Sequence, residues 1–343
     1  MSTPRSQLVD EAVTPWYHCI SRCVRRARLC GDDRAHRRDW IIARLRELVE
    51  LFAIHCGGFA VMDNHLHLLL RLDSDRARAW SDEEVARRWL TLHPLRDLSG
   101  QALPIAEERV RQCAADASWV ARTRARLGDL GWFMKSLKEP LARRANREDG
   151  CTGAFWEGRF RSVAVLDDEA LLAVAAYIDL NPVAAGIAET PEMASHTSLR
   201  ARLDHVRDLG VTATLRDDLS TQSDDPIQEE GLWLAPVNDR RESSPGRVGL
   251  VSGFTLACYL RLVDAASRLE RNGKECLAAD TASIFARLGL DREVWRENFE
   301  SLHRRSRPAS RLVRPRPCPN TSRRFPSFRV SSPSHPTILA TAR

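Results

Sequence analysis

Between Trp16 and Leu180 the spacing of hydrophobic positions changes repeatedly, and each change marks an element. Trp16 to Cys23 predicts a first strand. Residues 35–54 predict an amphipathic helix, because Ile41, Leu45, Leu48 and Phe52 recur at the i, i+4, i+7 spacing of one apolar face. Gly58 to Met62 and His65 to Leu72 predict two strands. The Asp63-Asn64 dipeptide between them suits a tight hairpin, since both residues tolerate positive φ. Residues 82–127 read as a charged helical insertion, and 130–147 as a helix carrying Trp132, Phe133, Leu137 and Leu141. Arg159 to Leu166 reads as a fourth strand and Asp168 to Leu180 as a last helix. The order βαββαβα implies an α+β fold, an antiparallel sheet with helices on one face.

Beyond this block, residues 203–247 are rich in charge and polar turn formers and read as a linker. Helical periodicity returns in Phe254, Leu256, Tyr259, Leu260 and Val263, so 248–302 reads as a small helical accessory module. The 303–343 segment lacks apolar periodicity and holds seven of the chain's 17 prolines and ten arginines, without Lys, Asp or Glu. It is expected to be a disordered basic tail, either touching nucleic acid nonspecifically or without a role. The chain's formal charge is +6, so removing the tail's ten leaves residues 1–302 at −4. The basic bias therefore resides in the tail, and any DNA contact of the folded part must come from local clusters.

The 343 residues exceed one average domain, and 43 % hydrophobic content excludes global disorder. No apolar run approaches the ~20 residues of a membrane helix, and Met1-Ser2-Thr3-Pro4-Arg5 reads as no signal peptide. A cytoplasmic protein with no membrane association is expected. The nine cysteines are odd in number, scattered and without a Cys-x-x-Cys pair, so they read as reduced thiols.

Two features carry candidate chemistry. Side chains alternate along a strand, so His65 and His67 share one face while Leu66, Leu68 and Leu70 share the other. Two imidazoles ~6–7 Å apart along a strand can share a divalent cation if a neighbouring element supplies a third ligand. A half-exposed strand that merely carries two histidines fits the same spacing. On the last helix, Leu171, Val174, Ala175 and Ile178 form an apolar stripe, with Tyr177 and Asn181 projecting together at i, i+4. Pro182 is expected to close that helix. Taken alone, Tyr177 reads first as an amphipathic anchor with its hydroxyl in water.

The block from Val61 to Leu70, with its His-hydrophobic-His motif, and the later Tyr177-Ile178-Asp179-Leu180-Asn181-Pro182-Val183-Ala184-Ala185-Gly186 together resemble the single-tyrosine HUH transposases, above all the REP-associated branch. Ala142 to Arg147 and Gly153 to Phe160 resemble the stretch before the nucleophile helix in long bacterial members. The resemblance covers about 14–200. It implies a ferredoxin-like catalytic domain that cleaves and rejoins single-stranded or hairpin DNA through a 5′-phosphotyrosine, in DNA transposition or the processing of repeated palindromes. It assigns Tyr177 as nucleophile and His65, His67 and Asn181 as ligands of Mg²⁺ or Mn²⁺, with no organic cofactor; the role of Asp63 stays open. Ala184 departs from the family, whose members often carry Arg there.

DNA contacts are expected from Arg22, Arg25, Arg26 and Arg28, from Arg143, Arg144 and Arg147, and from Arg159 and Arg161 around Trp156. Trp156 and Phe160 are candidates for base stacking; as core aromatics beside a solvated arginine rim they fit equally. The protein acts as a monomer or a homodimer on this reading. The alternatives are a regulator that has kept DNA binding and lost catalysis, and an unrelated His-x-His hydrolase that needs no tyrosine.

Overall fold

Four strands, β1 (Trp16–Arg22), β2 (Ile54–Val61), β3 (His65–Leu72) and β4 (Arg161–Ala164), form one antiparallel sheet in the order β2-β3-β1-β4. They belong to a computed structural model that describes residues 9–215, 229, 231–239, 248–272 and 292–306. With α1 (Arg37–Leu51) between β1 and β2, this is the ferredoxin-like arrangement. The tail expected from 303 lies outside the described residues from 307 onward.

The two-residue alternation of each strand divides the core into two clusters. Tyr17, Cys19, Leu66, Leu68, Leu70, Ile54 and Phe59 face α1 and α6 (Leu130–Glu148), where Ile41, Leu45, Leu48, Phe133 and Leu137 are buried. Each such side chain contributes about 1.5–3 kcal/mol of burial. Trp16, Ala60, Met62 and Leu69 face the other way, onto α7 (Asp168–Ala184) and, further out, α9 (Leu256–Asn272) and α10 (Arg292–Ser306). The expected one-face layer is thus the crossover pair α1 and α6; the last helix covers the opposite face.

Several boundaries differ from the periodicity reading for local reasons. The first helix stops at Leu51 because Phe52 turns extended, with ψ of 154°, and β2 begins at once with Ile54. The 82–127 insertion divides into α3 (Asp82–Leu92), α4 (Glu107–Ala115) and α5 (Ala117–Leu127), after the short α2 (Ser74–Ala79), with a satellite core of Ala86, Leu90 and Val110. In α6, Pro140 has no N–H for the carbonyl of Ser136, and Arg44 Nε of α1 donates to that oxygen at 3.2 Å. Pro182 does not close α7: the helix runs two residues further and ends before Gly186 at φ +68°. Near a helix C-terminus the proline's missing donor weakens one bond and leaves the last turn intact.

The hairpin turn falls at Asp63-Asn64, closed by Met62 N donating to the His65 carbonyl at 2.9 Å. Neither turn residue has positive φ; the left-handed positions are Arg25, Arg26 and Asp32 in the loop packed beside it. That loop fixes the turn from outside. Cys23 N donates to Asn64 O and Cys30 N to Asp63 O, both at 2.8 Å. The Asp63 carboxylate accepts from Arg28 Nη2 at 2.5 Å and Arg38 Nη1 at 3.1 Å.

The stretch from 203 begins inside α8 (Ser198–Asp208) and returns as residues 229 and 231–239. Buried Arg202 pairs with Glu229 and donates to Gly57 O at 3.0 Å and Ala235 O at 2.7 Å, tying this stretch to the edge strand β2. Among the described residues no helix is long and apolar enough to cross a membrane, and the seven cysteines there are free thiols.

Candidate active site

Strand alternation on β3 sends His65 and His67 to the α7 face, and Leu66, Leu68 and Leu70 into the opposite core. The two imidazole centroids lie 4.9 Å apart at 75°. A third imidazole, unmarked by any sequence motif, joins them from β1: His18 Nε2 lies 2.9 Å from His67 Nδ1, with the rings stacked at 5.1 Å. The antiparallel register explains it, since Ile20 pairs with His67 and His18 is two residues along on the same face. Only the β1–β3 pairing could have revealed His18, because one strand's alternation does not say which face it shares with another.

Helix α7 brings the tyrosine. It starts at Asp167, whose carboxylate accepts from Ala170 N at 2.7 Å, and it is apolar all round because it is packed on both sides. Tyr177 stands edge-on to His67 and His18, with centroids at 5.7 and 6.0 Å. One turn on, Asn181 Nδ2 donates to the Tyr177 carbonyl at 2.9 Å, and its amide also hydrogen-bonds the His65 ring. The roll of the helix is set from its far side by buried Asp179. That carboxylate accepts from Ser198 Oγ at 2.6 Å, Leu199 N at 2.9 Å and Tyr259 Oη at 2.6 Å.

These side chains line a cleft of about 720 Å³ together with Arg22, Arg26, Arg159 and Arg161, with Ala184 and Leu302 at its helical wall. Burial disfavours charge on the imidazoles and the arginines reinforce it. His18 is pushed from 6.5 to about 3, first by burial and then by Arg161. His65 falls to about 4, by burial and then Arg22, against the raising effects of the Asn181 bond and of the nearby Asp63 charge. His67 lies well below its ordinary value, by burial and then the neighbouring histidines. All three are neutral at pH 7, the form that ligates metal.

Among the described residues no three His, Cys, Asp or Glu side chains converge as a ready metal cage. The side chains that could hold a divalent ion are two neutral imidazoles, His65 and His67, and the Asn181 amide, which line one cleft. The amide oxygen suits Mg²⁺ and Mn²⁺, whereas imidazole nitrogens bind Zn²⁺, Fe²⁺ or Ni²⁺ more readily. Asp63 stands apart, engaged by Arg28 and Arg38.

Of the expected DNA-contacting residues, Arg22, Arg26, Arg159 and Arg161 gather in the cleft, and Arg25 is exposed on the adjoining loop. Arg143, Arg144 and Arg147 lie on α6, which packs on the opposite face of the sheet. Arg143 pairs with Glu139, Arg144 covers the Trp40 ring at 3.6 Å and Arg147 is exposed. Phe160 is buried in the core, whereas Trp156 is half-buried beside the cleft, its indole N–H donating to Lys138 O at 3.0 Å.

No protein-family model and no curated protein matches the chain. Among solved structures it is similar to a REP-associated tyrosine transposase bound to a REP hairpin, at a TM-score of 0.31 and 14 % identity, over 55 % of this chain and 78 % of that one.

Proposed function

We propose that this chain is a metal-dependent tyrosine DNA strand transferase of the HUH type, acting on single-stranded or hairpin DNA. The observation that carries the reading is the convergence of five side chains from three elements on one arginine-lined cleft: His65 and His67 of β3, Tyr177 and Asn181 of α7, and His18 of β1. A hydrolase built on His-x-His has no need of a tyrosine edge-on to His67.

Arg22, Arg26, Arg159 and Arg161 draw the phosphate backbone into the cleft and orient it. His65, His67 and Asn181 are the residues that hold a divalent ion, Mg²⁺ or Mn²⁺, which when bound offsets charge on the scissile phosphate. The Tyr177 oxygen attacks phosphorus and gives its proton to solvent in the open cleft, the P–O3′ bond breaks, and the departing O3′ takes up a proton from that solvent. The products are a 5′-phosphotyrosine and a strand ending in a 3′-hydroxyl. The bond energy is retained, so attack by another 3′-hydroxyl reverses the step and joins strands without ATP.

The test is to incubate the full chain with Mn²⁺ and labelled hairpin-bearing single strands from DNA flanking its gene. A covalent adduct on denaturing gels that vanishes in Tyr177→Phe and with chelator is the expected result. Tight hairpin binding without any adduct would replace this reading with that of a DNA-binding regulator.

A further inference from the structure

Next to the cleft, and separated from it only by Gly158 and Arg159, which line both, lies a second cavity of about 510 Å³. Its walls are Met134 and Ala142 of α6 on one side and Trp156 and Phe160 on the other. Resting on the functional reading above, we infer that this cavity is a subsite for one unstacked nucleobase of the DNA strand whose phosphates run over Arg159 and Arg161.

Three observations favour a base over another apolar guest. The Trp156 ring is held in place by its N–H bond to Lys138 O and by Phe155 packed edge-on at 4.8 Å, so it offers a preset aromatic face. Such a face stacks any base. The charged rim suits a polyanion: Lys135 and Arg159 border the cavity, while the carboxylate there, Glu139, is neutralised by Arg143. Buried Lys138 donates to Gly158 O at 2.8 Å, fixing the glycine partition between cavity and cleft. A Cβ added at Gly158 would meet nothing within 4 Å, so the partition is open on that side. The volume falls within the ~300–1,000 Å³ of small-ligand pockets.

The experiment uses full-length Tyr177→Phe, which binds without cleaving, and a hairpin strand carrying an abasic site at each unpaired position in turn. One position is expected to lose affinity by about 5- to 150-fold, the worth of one stacked base. Trp156→Ala should weaken the intact strand similarly and make that position indifferent to base removal, whereas Trp156→Phe retains the preference. Ala142→Phe fills the cavity from its opposite wall without touching the tryptophan and should reproduce the loss, with circular dichroism confirming an unchanged fold. If Arg161→Ala weakens binding while Trp156→Ala and Ala142→Phe do not, the subsite is wrong and the cleft reading stands. If Ala142→Phe changes the oligomeric state by light scattering and leaves DNA affinity alone, the cavity serves a protein contact and the inference falls. If no strand binds the protein at all, the functional reading falls and the subsite with it.

Discussion

His18 Nε2 lies 2.9 Å from His67 Nδ1 in a buried pair, so one ring donates and the other accepts according to tautomer. For His67 to present its remaining nitrogen, Nε2, to a metal, Nδ1 must carry the hydrogen and His18 must accept it. His18 is therefore a positioning residue for the proposed ligand set. Replacing it with Phe should lower Mn²⁺ affinity by about 10- to 100-fold, the usual effect of losing such an orienting partner. Titration calorimetry measures this directly. Metal-free hairpin binding should be unchanged, and an unaltered Mn²⁺ affinity would remove His18 from the metal site.

The same histidines make the protein acid-sensitive. Their folded values lie below the ordinary 6.5, at about 3 for His18 and about 4 for His65, with His67 also lowered. The unfolded chain therefore binds protons first. Stability is whole above pH 6.5 and is lost as pH falls from 6.5 toward 4, by at most ~1.4 kcal/mol per pH unit for each histidine. Urea unfolding between pH 7.5 and 4.5 should show this slope, shallower in His18→Phe. A flat profile would mean that the rings are hydrated in the native state.

What the sequence discloses and what it hides follow from locality. The strands, α1, α6 and α7 are legible because each writes its own period of apolar residues, and the pair His65, His67 and the pair Tyr177, Asn181 are each a spacing within one element. His18 is a matter of pairing between strands 49 residues apart and leaves no periodic trace. The Asp63-Asn64 turn is visible in composition, but its negative φ values depend on the loop from Cys23 to Arg38 that grips it. Pro182 appears to a local rule as a terminator, whereas packing of α7 against the sheet and α10 carries the helix past it.

Asp179 ties α7, the helix that carries Tyr177, to α9 through Tyr259. Burial raises the Asp179 carboxyl, and its hydrogen bonds to Ser198, Tyr259 and Leu199 hold it down only in part. Tyr259→Phe leaves Oδ2 without that donor inside the core. The expected loss is about 1–3 kcal/mol, read by chemical denaturation. Adduct formation should fall as well, because the helix loses a stop against rotation. A variant as stable and as active as the parent would show that apolar packing alone sets the roll of α7.

Ala184 lines the cleft at the end of α7, where members of the resembled family often carry arginine. A guanidinium there would reach the arginine-lined space, and a cation at a helix C-terminus also complements the dipole, so the fold should tolerate it. Ala184→Arg should therefore add one phosphate contact. The plot of log affinity against log salt for a hairpin strand should steepen by ~0.7–0.9, with tighter binding at low salt and little change in thermal stability. The slope decides the matter because it counts phosphates neutralised, whatever the sequence bound. An unchanged slope would mean that the backbone passes on the Arg22 and Arg161 side of the cleft and never approaches the end of the helix.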